Sequence, residues 1–226
     1  MSKTLIDDGY NAHWVQNALF DGIMEIPHIN KPDKIIIPQR LVPFTCRSKT
    51  TGQNETLCFY VHDEKFEDVT LHPDKYLGEL HKFESVVTPD DSLYIDMPLC
   101  LQITNVYFSR AVGHYLQSLG MYVIPNVRWG DERTYTTCVL PEKIAFLGIE
   151  KHSIVAIGTY GCIKSKEAQL RFRAGLIAML DELEPEAVLV YGAMPKPVFD
   201  GLYHRTKFLQ YKDWISSKKG GPNGNR

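Results

Sequence analysis

Three apolar runs in the second half of the chain share one pattern, a β-rich segment that ends abruptly in polar, glycine-bearing residues. They are 121–131 (MYVIPNVRWGD), 153–162 (SIVAIGTYGC) and 187–194 (AVLVYGAM). Segments with helical periodicity separate them, which is typical of βα units whose parallel strands are buried on both faces. Ligands bind beyond the carboxyl ends of such strands. The pattern therefore predicts the location of a site, although it does not specify a reaction.

The same patterning predicts the other elements. Apolar residues recur at helical spacing over 11–26, 73–83, 99–119, 141–148 and from Ser165 to Pro185, and strand-like runs cover 34–41 and 56–63. The polar stretch 47–55 between those two strands is interpreted as a hairpin or an exposed loop. We expect one α/β domain over 34–215, preceded by an irregular or helical segment at 1–33 and followed by a disordered tail at 216–226.

Two architectures fit this alternation. A doubly wound open sheet normally shows a glycine-rich phosphate turn after its first strand, and the sequence has none. An incomplete (β/α) barrel of the TIM type needs no such turn and places polar residues at many strand ends. The pattern favours the mainly parallel, barrel-like arrangement, and the open sheet stays as the alternative.

Composition narrows the class of protein. Hydrophobic residues make up 44% of the 226 residues, and 25 basic against 27 acidic side chains leave a formal charge of −2. That balance favours neither nucleic acid nor an anionic membrane. No apolar run approaches the roughly 18 residues of a membrane span, and residues 1–10 lack the features of a signal peptide, so we expect a cytoplasmic protein. Five dispersed cysteines without a CxxC pair indicate free thiols.

The segment 125–132 (PNVRWGDE) carries the densest chemistry. Asn126 and Arg128 share one face of the predicted strand, Trp129 lies on the other, and Asp131 falls in the following loop. A guanidinium group binds phosphate or carboxylate, and an indole stacks on planar groups, so these residues suit an anionic or planar ligand. Alternatively, Arg128 pairs with an acidic neighbour and Trp129 closes the core.

The next two strand ends offer further candidates. Tyr160 and Cys162 bring a phenol and a thiol, and Gly161 between them allows close backbone approach to a ligand. Tyr191 ends the last predicted strand. A catalytic Cys162 requires a nearby base or helix N-terminus, and a structural cysteine is the favoured interpretation.

Carboxylates follow earlier strands as well, at Asp63, Asp90, Asp91 and Asp96. They can converge on a metal or act as general acid and base, but the HExxH and HxxEH spacings are absent and we predict no metal site. The chain has no P-loop, GxGxxG or GxSxG motif either, and no motif indicates a cofactor.

Longer strings resemble a known family. They are NVYFSRAVGHYLQSLGMYVIPNVRWGDE, SIVAIGTYG and VLVYG in the second half, with FYVHDEKFE and TPDDSLYIDMP before them. Over residues 7–199 the chain resembles domain-of-unknown-function family 4417. The chain departs from the family pattern at 88–91 (TPDD), where the family has an aromatic residue before the serine. The resemblance implies an origin in phages, prophages or other mobile elements. Because that family has no assigned activity, it implies no reaction.

We therefore predict one concavity at the carboxyl edge of the sheet. Its expected catalytic residues are Asp131, Arg128, Tyr160 and Asp96, and its ligand-binding residues are Asn126, Trp129, Tyr191 and Gly161, with Asp63 as an alternative contributor to Asp96. In the enzyme hypothesis Arg128 holds an anionic, phosphate-bearing substrate, Asp131 or Asp96 is the base, and Tyr160 donates a hydrogen bond to developing charge.

The competing hypothesis is a non-catalytic accessory protein that binds a ligand, a nucleic-acid end or a host protein, although net charge does not support nucleic acid. Two carboxylates within hydrogen-bond range of Arg128 would favour the enzyme. A lone arginine in an apolar concavity would favour binding.

Overall fold

The structure is a computed structural model that describes residues 11–213. Its strands are β1 (Phe20–Asp21), β2 (Ile26–Pro27), β3 (Arg40–Pro43), β4 (Glu55–Cys58), β5 (Ser85–Val87), β6 (Val123–Ile124), β7 (Ile154–Gly158), β8 (Ala187–Tyr191) and β9 (Lys207–Tyr211). Its α-helices are α1 (Glu67–Leu71), α2 (Leu77–Leu80), α3 (Leu99–Ser118), α4 (Glu132–Tyr135), α5 (Lys166–Leu183) and α6 (Lys196–Phe199). No helix among these residues is long and apolar enough to cross a membrane.

Parallel pairing dominates the sheets. Strands β3-β4-β5-β6 form one parallel sheet and β7-β8-β9 another, while β1 and β2 form an antiparallel pair. A parallel bridge between Asn126 and Ala156 joins the chain beyond β6 to β7. These parallel sheets, interleaved with helices, confirm the predicted α/β class.

The strands are apolar on both faces because both faces are covered. On one face Val155 and Val188 pack with Leu176 and Met179 of α5. On the other face, inward side chains of six strands form a single cluster. Its buried members are Leu41, Cys58, Tyr60, Val87, Ile124, Ile154, Ala156, Ala187, Leu189 and Tyr191. This double burial explains the unbroken apolar runs of β7 and β8.

The two long helices match their predicted positions. Helix α3 ends next to Gly120, which adopts a φ of 82°, a conformation that glycine tolerates without strain. Helix α5 starts after Ser165, whose side chain accepts a hydrogen bond from the backbone N–H of Ala168. Both predictions are confirmed, because amphipathic spacing and capping residues act locally.

Several predictions of local structure are wrong or incomplete, including the helix predicted over 141–148, which is a 3-10 turn at Ile144–Phe146. The helix predicted over 11–26 is a 3-10 turn at Ala12–Val15 followed by β1 and β2, since Asn17, Gly22 and Glu25 adopt positive φ. The helix predicted over 73–83 divides into a 3-10 turn and α2. Segment 47–55 is no hairpin, because β3 and β4 are parallel, and of the two alternatives the exposed loop agrees with the structure. Strand β9 was not predicted, and residues 1–10 and 216–226 lie outside the described residues.

Close packing of α5 on the strand end after β6 gives a first prediction. A Cβ atom at Gly175 would overlap the Trp129 indole, whereas a Cβ at Gly78 in α2 meets no atom within 4 Å. Gly175→Ala should therefore lower the free energy of unfolding by about 1–3 kcal/mol. Gly78→Ala should leave it unchanged or raise it by up to about 1 kcal/mol. Urea denaturation measures both, and equal stability of the two variants would refute the packing.

Candidate functional site

A cavity of about 970 Å³ opens at the carboxyl ends of the parallel strands. Aromatic, acidic and basic side chains from successive strand ends line it, including Tyr60, Asp63, Asp90, Tyr94, Arg128, Trp129, Tyr160, Cys162 and Tyr191. Because parallel strands end at the same edge of a sheet, residues distant in sequence meet here.

A buried ion pair forms the floor of this cavity. Nη1 of Arg128 donates to Oδ2 of Asp90 at 3.1 Å, and the two side chains are 20% and 7% exposed. Burial raises the pKa of Asp90 to about 6, although Arg128 and a hydrogen bond from Asn126 oppose that rise. Burial alone would lower the pKa of Arg128, but nearby negative charges, led by Asp90, raise it. Arg128 is thus a permanent cation beside a carboxyl group that titrates near neutral pH.

A chain of hydrogen bonds through Asn126 holds the Asp90 carboxyl group in place. Asn126 donates from Nδ2 to Oδ1 of Asp90 at 2.8 Å, and the Tyr60 hydroxyl donates to Oδ1 of Asn126 at 3.0 Å. The Asn126 backbone N–H donates to the Thr88 hydroxyl at 2.9 Å. Burial raises the pKa of Tyr60 well above its usual value, so its phenol stays a donor. The carboxyl group of Asp90 therefore has a fixed orientation.

A buried arginine of α3 supports the backbone beneath the cavity. Arg110 of α3 is 2% exposed, and its guanidinium donates to the backbone carbonyls of Asn126 at 2.8 Å, Ala145 at 3.1 Å and Leu147 at 3.0 Å. Burial lowers its pKa to about 9, which leaves it charged at neutral pH. Arg110 thereby fastens α3 to the strand end that carries Asn126 and Arg128.

Two more carboxylates lie beside the ion pair. Asp63 accepts hydrogen bonds from the backbone N–H and the hydroxyl of Ser92, at 2.9 and 2.8 Å. Asp91 accepts one from the Thr70 hydroxyl at 3.2 Å, and burial together with the charge of Asp63 raises its pKa to about 7. Within residues 11–213, no group of three histidine, cysteine or acidic side chains has an arrangement able to hold a metal ion.

The structure brings together most, but not all, of the residues predicted from strand ends. Those that line the cavity are Arg128, Trp129, Tyr160, Gly161, Tyr191, Asp63 and Asp96. Asn126 lies beneath the cavity floor, bound to Asp90. Asp131 is not among the lining residues, because it caps α4 through the backbone N–H of Arg133 and pairs with that guanidinium at 2.7 Å. The hydrogen bond from Arg133 lowers the pKa of Asp131.

Trp129 and Cys162 have structural contacts as well as positions on the cavity wall. The Trp129 ring packs on Phe172 with centroids 4.8 Å apart, which agrees with the core-closing alternative. The positive charge of Arg128 favours the Cys162 thiolate, but burial raises the thiol pKa overall. A raised pKa disfavours the thiolate, so Cys162 is poorly suited to act as a nucleophile.

The ion pair agrees with the alternative in which Arg128 pairs with an acidic neighbour, but sequence reasoning did not identify Asp90 as the partner and gave Tyr60 no role. The available signal was the position of Asp90 soon after a strand, since β5 ends at Val87.

Fold and cavity together define an α/β protein with a polar, partly aromatic site at the carboxyl edge of parallel strands. The family model described as "Domain of unknown function (DUF4417)" matches residues 18–212, and the chain belongs to this family. No solved structure matches the chain.

Two relatives come from mycobacteriophages, so the family is phage-associated. The chain is 32% identical to the Gene 1 protein of Mycobacterium phage L5 over 199 residues, which cover 81% of this chain and 83% of that protein. It is 38% identical to the Gene 1 protein of Mycobacterium phage D29 over 138 residues. That second match covers 61% of this chain and 48% of the phage D29 protein.

Proposed function

We propose that the protein is an enzyme that binds a phosphate-bearing anion in this cavity and uses Asp90 as general acid and base. One observation carries the proposal: a buried carboxyl group with a pKa of about 6 lines the cavity and contacts a half-buried arginine. Strongly shifted pKa values in clefts concentrate at functional sites. A base whose pKa lies near the working pH combines the correct protonation state with useful basicity.

Arg128 is the proposed anion-binding residue. A guanidinium group has five N–H donors, and the contact to Asp90 leaves donors for a ligand in the cavity that Arg128 lines. Charge-assisted hydrogen bonds to phosphate are among the strongest in proteins. The same residue therefore neutralises the substrate and sits beside the base.

The remaining candidates take supporting roles. Tyr160 is more than half exposed on the cavity wall, where its hydroxyl can donate to charge that develops in the transition state. Asp96 lies on the rim as a substrate contact. We move the role of base from Asp131 to Asp90, because Asp131 is paired with Arg133 away from the cavity lining.

We further propose that the two parallel sheets form one incomplete (β/α) barrel within a single domain. Tyr60 after β4 stacks on Tyr191 of β8 with ring centroids 5.1 Å apart. The Tyr211 hydroxyl of β9 donates to the carbonyl of Pro38, just before β3, at 2.7 Å. The apolar cluster shared by six strands supports the same arrangement. Active sites of such barrels lie at the carboxyl edge, where this cavity opens.

A non-catalytic binding protein is the second candidate, and one observation favours it. Asp90 is the carboxylate that hydrogen-bonds Arg128, whereas Asp63 affects the arginine through its charge. Two carboxylates in direct contact would have favoured the enzyme more strongly. In this alternative the cavity holds a small ligand, a nucleic-acid end or a segment of a host protein without chemical change.

A ligand screen tests the proposal. Sugar phosphates, nucleotides and short oligonucleotides are added to the wild-type protein, and melting temperature and product formation are both recorded. For a ligand that raises the melting temperature, Arg128→Gln should weaken binding about 10- to 100-fold, because a charge-assisted hydrogen bond is lost.

Arg205→Gln is the matched control, since Arg205 forms an ion pair with Asp181 and does not line the cavity. Equal affinity of wild type and Arg128→Gln would contradict the anion site. If a ligand binds in a way that depends on Arg128 but no product forms, the enzyme proposal is wrong and the protein is a binding protein.

A further inference from the structure

On the basis of the proposed anion site, we infer that the phosphate-bearing ligand is a nucleotide whose base stacks on tyrosines at the mouth of the cavity. Three features of the wall carry this inference: exposed aromatic rings, their closeness to the half-buried Arg128, and carboxylates in the same lining. A nucleotide has three parts that suit these features: a planar base for the tyrosine rings, a hydroxyl-bearing sugar for the carboxylates, and a phosphate for Arg128.

The aromatic feature consists of Tyr94 and Tyr160. Both line the cavity, yet 54% and 58% of their surfaces are exposed, whereas Tyr60 and Tyr191 deeper in the cavity are buried. Aromatic side chains with accessible faces provide stacking platforms for bases. A phosphate or a sugar phosphate alone would leave these rings in water.

Both tyrosines lie near residues that interact with Arg128. The Tyr160 carbonyl accepts from Sγ of Cys162 at 3.6 Å, and Cys162 lines the same cavity as Arg128, near enough for the charge of each to affect the pKa of the other. Tyr94 follows Asp90, the partner of Arg128, by four residues, so their Cα atoms are at most about 14 Å apart. One ligand can therefore contact the guanidinium group and a tyrosine ring together.

The charges of the residues that line the cavity limit the number of phosphate groups that the ligand carries. Lysine and arginine contribute four lining residues, and aspartate contributes four, so the formal charge of the lining balances. A balanced lining offers no net positive charge to neutralise the additional negative charges of a di- or triphosphate. Asp63 and Asp96 are instead suited to accept hydrogen bonds from sugar hydroxyls, as carboxylates do in dinucleotide sites. A nucleoside monophosphate fits this balance best.

The size of the cavity is consistent with this ligand. Its 970 Å³ lies near the upper end of the range for small-molecule sites, about 300–1,000 Å³. That volume far exceeds what an inorganic phosphate needs.

Calorimetric titration separates the parts of the ligand. The probes are AMP, GMP, CMP and UMP, ribose 5-phosphate, the corresponding nucleosides, and a 5′-phosphorylated trinucleotide. At least one monophosphate should bind about tenfold or more tightly than ribose 5-phosphate, because stacking adds to phosphate binding. Tyr94→Leu should remove much of that gain and leave the affinity for ribose 5-phosphate unchanged.

Tyr203→Leu is the matched control, because Tyr203 is equally exposed but does not line the cavity, and we expect this variant to bind like the wild type.

Tighter binding of the trinucleotide than of the monophosphates would assign the site to the ends of nucleic-acid strands, and tighter binding of the monophosphates would assign it to free nucleotides. Both results support nucleotide recognition. Equal affinity for monophosphates and ribose 5-phosphate would overturn this inference and leave the proposed anion site intact. Nucleosides that bind as tightly as their monophosphates would overturn the anion site instead.

Discussion

Arg110→Met should lower the free energy of unfolding by about 3–5 kcal/mol, the largest stability effect that we expect in this chain. The guanidinium group of Arg110 satisfies three backbone carbonyls, and its side chain is almost fully buried. Methionine fills similar space but donates no hydrogen bond, so the carbonyls lose their buried partner. Urea denaturation of the two proteins measures the difference.

Arg171→Met provides the control. Arg171 pairs with Glu167 one helical turn away, and both side chains are well exposed. Such a pair contributes about 0.5 kcal/mol or less. If both variants unfold at the same urea concentration, the buried network of Arg110 does not stabilise the fold as described.

Asp90→Asn should lower turnover of a bound substrate by about 100- to 10,000-fold, the usual contribution of a general acid or base. Affinity for the anion should not fall, because asparagine has nearly the same size as aspartate and lacks the negative charge that repels a phosphate. In the wild type, kcat/KM should fall as pH drops below about 6, since a protonated Asp90 cannot accept a proton. Steady-state kinetics with the substrate found in the screen measures both effects.

Asp181→Asn is the control for this substitution, because Asp181 is an exposed partner of Arg205 and does not line the cavity. Circular dichroism and melting curves establish that each variant folds. Full activity of Asp90→Asn, or loss of activity in Asp131→Asn alone, would assign the base to a residue other than Asp90.

The elements that could be predicted from the sequence are those decided by local patterns. Helices α3 and α5 have apolar faces at helical spacing and, for α5, a capping serine, so their bounds follow from the residues themselves. Strands β7 and β8 are continuous apolar runs because both faces are buried. The region 11–26 has helical spacing too, but positive φ at Asn17, Gly22 and Glu25 interrupts a helix, and spacing does not show this.

The candidate site was predictable in location but not in its central contact. Strand-end position indicated Arg128, Tyr160 and Tyr191, because parallel strands end on one side. The contact between Arg128 and Asp90 depends on the register of β5 against β6, in which Val87 lies beside Ile124. Register is a tertiary property that a single sequence does not display.

The misplacement of Asp131 has a local cause. A short helix, α4, begins directly after it, and the carboxylate accepts the N–H of Arg133 instead of projecting into the cavity. Tyr60 was overlooked because its significance arises from distant partners, Asn126 and Tyr191.

The most direct test of the anion site is a crystal structure of the protein soaked with tungstate, an electron-dense analogue of phosphate. We predict an anomalous peak within hydrogen-bond distance of the Arg128 guanidinium group, next to Asp90 and absent from Arg128→Gln crystals. A cavity without a peak at Arg128, in crystals that bind tungstate elsewhere, would contradict the account.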